Sequence, residues 1–179
     1  MAGIEDRRRR LVADGEPIAT GVVAVGDAWA CTNPSVGRGA SMAMIQAGLL
    51  RDLLRETEPA DHDKFARRFE EASTQVVEPL YRGTVFIDRH RLAEMAADAA
   101  GTPYRPDDRR WAMGKALFAA SLIDPDLARD YASIAAFIAT PDEVFGAAGV
   151  AERVVALGMG APQYPLPGAT RGELLAAIA

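Results

Sequence analysis

The stretch Val23-Ala24-Val25-Gly26-Asp27-Ala28-Trp29-Ala30-Cys31-Thr32-Asn33-Pro34-Ser35-Val36-Gly37-Arg38-Gly39-Ala40-Ser41-Met42-Ala43-Met44 is where the chain changes character. Before about residue 35 it favours strand, and after it helix. The stretch itself reads as strand, loop and helix: an apolar run closed by Gly26-Asp27, a segment broken by Pro34, then Gly37 and Gly39 just ahead of helical periodicity. An acid at the carboxyl end of a buried strand sits where open α/β sheets bind ligands. A carboxylate there is suited to accept hydrogen bonds from sugar or polyol hydroxyls, and Asp27 is that acid. Gly37 and Gly39 let the backbone come close to a ligand without a Cβ clash, leaving N–H groups and the positive helix end aimed at an anion or a carbonyl oxygen. The same residues also read as a plain strand-to-helix turn with a capping acid, and pattern alone leaves the two readings level.

Upstream, Arg10 to Ala13 and Ile18 to Val25 read as two extended segments separated by Asp14-Gly15-Glu16-Pro17, whose Asp-Gly pair is a hairpin signal. The second segment is apolar on both alternating faces, as a strand is when both sides of its sheet are covered. Such a strand wants neighbours. Arg7 to Arg10, beside Glu5, Asp6 and Asp14, reads as a solvated hairpin edge rather than a polyanion patch.

Downstream the pattern is helical. Residues 38 to 55 carry Met42, Ile45, Leu49 and Leu53 on one stripe and Met44, Ala47, Leu50 and Leu54 on another, which predicts burial of two faces. A second helix starts at Asp61 as N-cap, carries Phe65, Phe69, Ala72 and Val76, is broken or kinked near Pro79, and continues from Arg82 to Ala100. Gly101-Thr102-Pro103 ends it before a helix around Asp108 to Leu122. Asp124-Pro125 opens a helix to about Ala139, and the capping box at Thr140-Pro141-Asp142-Glu143 opens another to about Leu157, weakened by Gly146 and Gly149. A loop from Gly158 to Gly168 precedes a short helix capped by Thr170. The fold class expected is mainly α with a short N-terminal β-hairpin, in one domain over residues 1–179: hairpin and loop to 36, helical from 37.

The chain has 179 residues, enough to bury a real core, with 49% hydrophobic and 25% charged residues. No run approaches the roughly 18 apolar residues a membrane span requires. Lys and Arg number 20 against 25 Asp and Glu, a net charge of -5, which repels phosphate backbones and argues against nucleic acid as a partner. Cys31 is the single cysteine, so an internal disulfide framework is impossible. With an N-terminus, MAGIEDRRRRLVADG, unlike a signal peptide, this predicts a cytoplasmic location. Cys31 reads as an inert small hydrophobe and Trp29 as either a core aromatic or a pocket wall. Tyr81, Arg82, Phe86 and Arg89 share helical spacing and read first as helix packing. His62 and His90 lack ligand spacing and read as surface residues, so no metal site is expected.

Over residues 18 to 55 the Gly-Asp-Ala, the proline and the Gly-x-Gly resemble the second flavin-binding motif of FAD-dependent monooxygenases, halogenases and geranylgeranyl-reductase-like oxidoreductases. The resemblance implies that Gly26 and Asp27 meet the ribityl or pyrophosphate region of FAD. It also implies that Pro34, Gly37, Arg38, Gly39, Ala40 and Ser41 lie along the isoalloxazine ring, where the helix end would stabilise negative charge at the N1 and C2 carbonyl side. NAD(P)H is the reductant it implies for intact relatives, with a small-molecule substrate. The helical remainder, with Pro165-Leu166-Pro167-Gly168 near its end, is compatible with the family.

Two departures matter. Trp29, Ala30 and Cys31 follow Ala28 where aromatic hydroxylases commonly have Ala-His, and Ser41 stands where many members have Asn. A further one is an absence: the family's opening Gly-x-Gly-x-x-Gly unit, which holds the ADP half of FAD, is missing from these residues. Gly37-Arg38-Gly39-Ala40-Ser41-Met42 lacks the third glycine, and Gly158-Met159-Gly160 opens a proline-rich loop. The expectation is therefore an α+β fragment of an FAD/NAD(P)-binding flavoprotein fold, its C-terminal portion. It would keep a flavin-contacting half-site without holding FAD tightly alone, and no catalytic acid or base can be named. The alternative is a non-enzymatic helical interaction module whose apolar strand pairs with a partner chain or, in a homodimer, with a second copy.

Overall fold

Asp14 and Gly15 both adopt positive φ, 51° and 80°, the backbone of a tight hairpin turn whose twist suits the strands it joins. The computed structural model describes residues 5–34, 37–160 and 169–178. It is mainly helical, with two small antiparallel ladders at the N-terminus. β1 (Arg7–Arg8) pairs with β4 (Ala30–Cys31), and β2 (Val12–Ala13) with β3 (Glu16–Pro17). The hairpin is thus where the Asp-Gly pair put it, but its strands are shorter than expected. Residues 18–25, expected as a strand, enter neither ladder: the Ile18 N–H donates to the Leu11 carbonyl at 2.8 Å, but past it no ladder partner lies beside the segment among the described residues, and a strand apolar on both faces needs a sheet. The β1–β4 ladder was not foreseen.

The contacts cluster into two compact units, residues 1–105 and 106–179, where the sequence suggested one domain. In the first, α1 (Arg38–Glu56) packs on α2 (His62–Ala99). α1 buries Met42 and Leu53 of the first predicted stripe, but Met44, Ala47 and Leu54 of the second are exposed. α2 is opened by Asp61, whose side chain accepts from the Lys64 N–H. It runs unbroken for 38 residues through Pro79, which is exposed, so water can satisfy the carbonyl left without its N–H partner. Its buried line is Ala66, Phe69, Ser73 and Val77, with Val76 turned out. Gly101, at φ 69°, ends the helix as expected, the Thr102 N–H reaching back 2.9 Å to the Ala97 carbonyl.

The arginine run is not simply a solvated edge. Arg8 is buried: its Nη2 donates to Glu70 Oε1 at 2.7 Å and Thr74 Oγ1 at 2.9 Å, its Nη1 pairs with Glu78, and its guanidinium lies 4.5 Å from the centre of the Trp29 ring. Trp29 is 2% exposed and donates its Nε1–H to Glu70 Oε2. Burial pushes the Glu78 carboxyl up, but Arg82 and Arg8 outweigh it and hold it below the usual carboxylate range.

In the second unit α3 (Arg109–Ser121), α4 (Pro125–Ala135), α5 (Pro141–Gly146) and α6 (Val150–Gly158) build a core of Ala116, Leu117, Ala120, Leu127 and Val154. The predicted caps Asp124 and Thr140 form, and Asp108, read as the approximate start of a helix, caps α3 by accepting the Trp111 N–H. α4 stops short of Ala139 because Phe137 turns to φ 59°, and α5 stops at Gly146 because Gly149, at φ 77°, starts α6 afresh. α7 (Arg171–Ala177) opens on its Thr170–Glu173 capping box. Residues 161–168, including the Pro165-Leu166-Pro167-Gly168 stretch, lie outside the described residues.

A Cβ on Gly158 would lie 2.0 Å from the Ala116 carbonyl oxygen, so α6 crosses α3 at a distance only glycine allows. Gly158→Ala is expected to destabilise the second unit by about 2 kcal/mol or more. Urea unfolding followed by Trp111 fluorescence, against Gly160→Ala as the neutral control, checks this: a Cβ at Gly160 meets nothing within 4 Å.

Candidate functional site

Gly26 takes φ +60°, and a Cβ there would come within 3.2 Å of the Ala43 Cβ, so the loop presses directly on α1. Gln46, 1% exposed on α1, holds it: its Oε1 accepts the Gly26 N–H at 2.8 Å and its Nε2 donates to the Ala24 carbonyl at 3.4 Å and to Ser73 Oγ at 3.1 Å. One buried amide thus ties the loop, α1 and α2 together. The sequence reading missed Gln46, although a polar residue four places after Met42, inside the apolar stripe, was a visible signal.

Gly26–Ala28 form one turn of 3-10 helix, with Asp27 at its centre and exposed. The turn is tethered from behind: the Arg9 N–H donates to the Trp29 carbonyl at 2.8 Å, and Arg9 Nη1 to the Asp27 carbonyl at 3.3 Å. The Asp27 carboxylate reaches the first turn of α1, where a Cβ on Gly39 would sit 3.8 Å from its Oδ1 and 3.6 Å from Thr32 Oγ1. The structure therefore brings Gly26, Asp27 and Gly39 together.

The start of α1 is open. Gly37 is its N-cap, left-handed at φ 68°, with nothing within 4 Å of where a Cβ would be; its N–H donates to the Pro34 carbonyl at 3.0 Å. The N-cap, a glycine, has no side chain to cap the first turn, and among the described residues of that turn none is acidic. Gly37, Ala40 and Ser41 are exposed, Arg38 and Gly39 half-buried, and Pro34 is exposed on the loop before them; Ser35 and Val36 lie outside the described residues. The recess behind, between Gly26, Gly39, Met42 and Gln46, has no room for a water molecule. These residues fit one side of a bound dinucleotide: an exposed carboxylate, a helix start led by glycine and open space where a Cβ on that glycine would be.

Other singled-out residues fall elsewhere. Trp29 is core, edge-on to Tyr81 at 6.5 Å between ring centres, and Cys31 is half-buried in β4. His90 is half-buried rather than on the surface, its Nδ1 2.9 Å from the Tyr104 hydroxyl and its ring against Phe86; His62 is exposed. Among the described residues no group of three or more His, Cys, Asp or Glu side chains is placed to hold a metal ion, and no helix is long and apolar enough to cross a membrane.

No protein-family model, curated protein or solved structure matches the chain.

Gln46→Leu keeps the volume but leaves the Gly26 N–H and Ala24 carbonyl without their partner, which is expected to cost about 1–3 kcal/mol. The amide exchange rate at Gly26, measured by NMR, should rise with the loss of stability, while exchange at Ala120 in the second unit stays unchanged.

Proposed function

We propose that the chain supplies the flavin-side contacts of an FAD-dependent oxidoreductase of monooxygenase type, as its C-terminal portion. The observation that carries this reading is the Asp27 carboxylate standing at the first turn of α1, beside Gly39 and near the left-handed Gly37 that starts the helix. Asp27 accepts hydrogen bonds from ribityl hydroxyls, while the N–H groups of Arg38, Gly39 and Ala40, with Ser41 next to them, face the electron-rich edge of the ring and favour negative charge there. The flavin, when bound, supplies the redox chemistry, with NAD(P)H as the reductant and a small molecule as the substrate. The ADP half has no glycine-rich cradle in these residues, so binding by this chain is weak.

A titration of FAD against the chain, read by flavin fluorescence, tests the reading. The expected Kd is about 0.1 mM or weaker, with a further loss of about fivefold or more in Asp27→Ala and no detectable binding in Gly39→Val. Equal titrations for wild type and both variants would overturn it, and submicromolar binding would contradict the half-site.

One observation favours a second reading, an interaction module. Val22–Val25 lie without a ladder partner among the described residues, Val22 is 51% exposed, and Met44 and Leu54 stand exposed on α1. A colourless dimer by light scattering, indifferent to flavin, would favour that reading over the first.

A further inference from the structure

Among the described residues nothing uses the hydroxyl of Thr32. The residue stands just past β4, near the close of the N-terminal arm, residues 5–33, and is 7% exposed. Its backbone is fixed on both sides. Cys31 before it pairs with Arg7 across the β1–β4 ladder, and the Asn33 N–H after it donates to Asp6 Oδ1 at 2.9 Å. Its Oγ1, however, has no hydrogen-bond partner among the described residues, and a buried hydroxyl left without one costs stability. A side chain that only filled space there would be better as valine.

The hydroxyl is turned toward the start of α1. Its Oγ1 lies 3.6 Å from the point a Cβ on Gly39 would occupy, and Asp27 Oδ1 lies 3.8 Å from that same point. Two oxygens thus converge on the bare side of one glycine, one from a buried residue and one from the exposed 3-10 turn. Together they narrow the chemistry of a ligand placed there. The carboxylate repels an anion, and the positive end of α1 repels a cation. An N–H group can donate to Asp27 but cannot accept from Thr32. A neutral hydroxyl does both.

We propose that Thr32 is a specificity residue of the Asp27 site, which reads neighbouring hydroxyls on a neutral polyol or sugar chain with one oxygen from each residue. The inference rests on the flavin reading above, in which that chain is the ribityl group. It adds to that reading a residue outside the Gly-Asp-Ala, proline and Gly-x-Gly positions that carry the resemblance.

The test titrates the full chain into a fixed, dilute solution of riboflavin, or of lumiflavin, which has the same ring with a methyl group in place of the ribityl chain, and reads flavin fluorescence. Riboflavin is expected to bind more tightly than lumiflavin. Thr32→Val should weaken riboflavin by about threefold or more and leave lumiflavin unchanged, while Thr32→Ser, which keeps the hydroxyl, stays within about twofold of the parent. Urea unfolding, read by Trp29 in a Trp111→Phe background, separates this role from a structural one: Thr32→Val should hold or raise the midpoint, because it removes a buried hydroxyl that has no partner. Two results would overturn the role of Thr32 while Asp27→Ala still weakens riboflavin: equal riboflavin binding by the parent and Thr32→Val, or a midpoint that falls in Thr32→Val with the preference for riboflavin intact. Riboflavin binding indifferent to Asp27→Ala would sink the flavin reading, and this inference with it.

Discussion

The first unit depends on one buried cation. Arg8 enters from β1 and is met by Glu70, Thr74 and Glu78 from α2, with the Trp29 ring against its guanidinium. Without it, Glu70 and Glu78 would face one another two turns apart on one helix, Glu78 with Arg82 and the distant Arg10 as its remaining cations, and the arm would lose its charged anchor. A buried ion pair of this kind adds little over a well-packed apolar substitute, but it fixes register: a guanidinium with two carboxylate partners and a hydroxyl accepts one seat only. The consequence runs along the chain. Seating Arg8 places β1 beside β4, which sets Trp29 in the core, which sets the Gly26–Ala28 turn and so the position of Asp27.

Gln46 completes the arrangement from the other side. The arm is pinned to α2 by charge and to α1 by an amide, and the carboxylate of Asp27 is carried to the open start of α1 between those two points. The exposed loop is therefore mounted on a rigid support, as binding residues generally are. Its openness is of one piece with the rest of the unit. Val22 on the segment without a ladder, Met44 and Leu54 on the outer stripe of α1 and the glycine that starts α1 are all exposed.

Much of this was legible in the sequence because the signals were local. Asp14-Gly15, Asp61, Asp124, Thr140 and Thr170 each act on backbone groups within four residues, and each turn or cap formed where its residues stood. The meeting of Asp27 with Gly39 was legible too, as two ends of a strand-loop-helix connection. The failures were long-range. Nothing near Arg8 in the sequence shows that two glutamates some sixty to seventy residues on will bury it, so a run of four arginines read as a wet edge. Residues 18–25 have the composition of a strand, but a strand exists only with a neighbour, and composition cannot supply one. Pro79 and the Val76–Val77 exchange show the limit of periodicity on a long helix: the buried line drifts, and a proline on the wet face interrupts nothing.

The most direct measurement is a double-mutant cycle between the arm and the helix, Arg8→Met and Glu78→Gln singly and together, with urea unfolding read by Trp29 in the Trp111→Phe background. If the arm is seated by this charge contact, each single variant takes from a buried charge one of its partners, and the two changes couple by about 1.5 kcal/mol or more, the double variant being less damaged than the sum. Changes that add within about 0.5 kcal/mol would contradict the account, because Arg8 and Glu78 would then be neighbours without an energetic bond and the seat of the arm would have to be sought elsewhere.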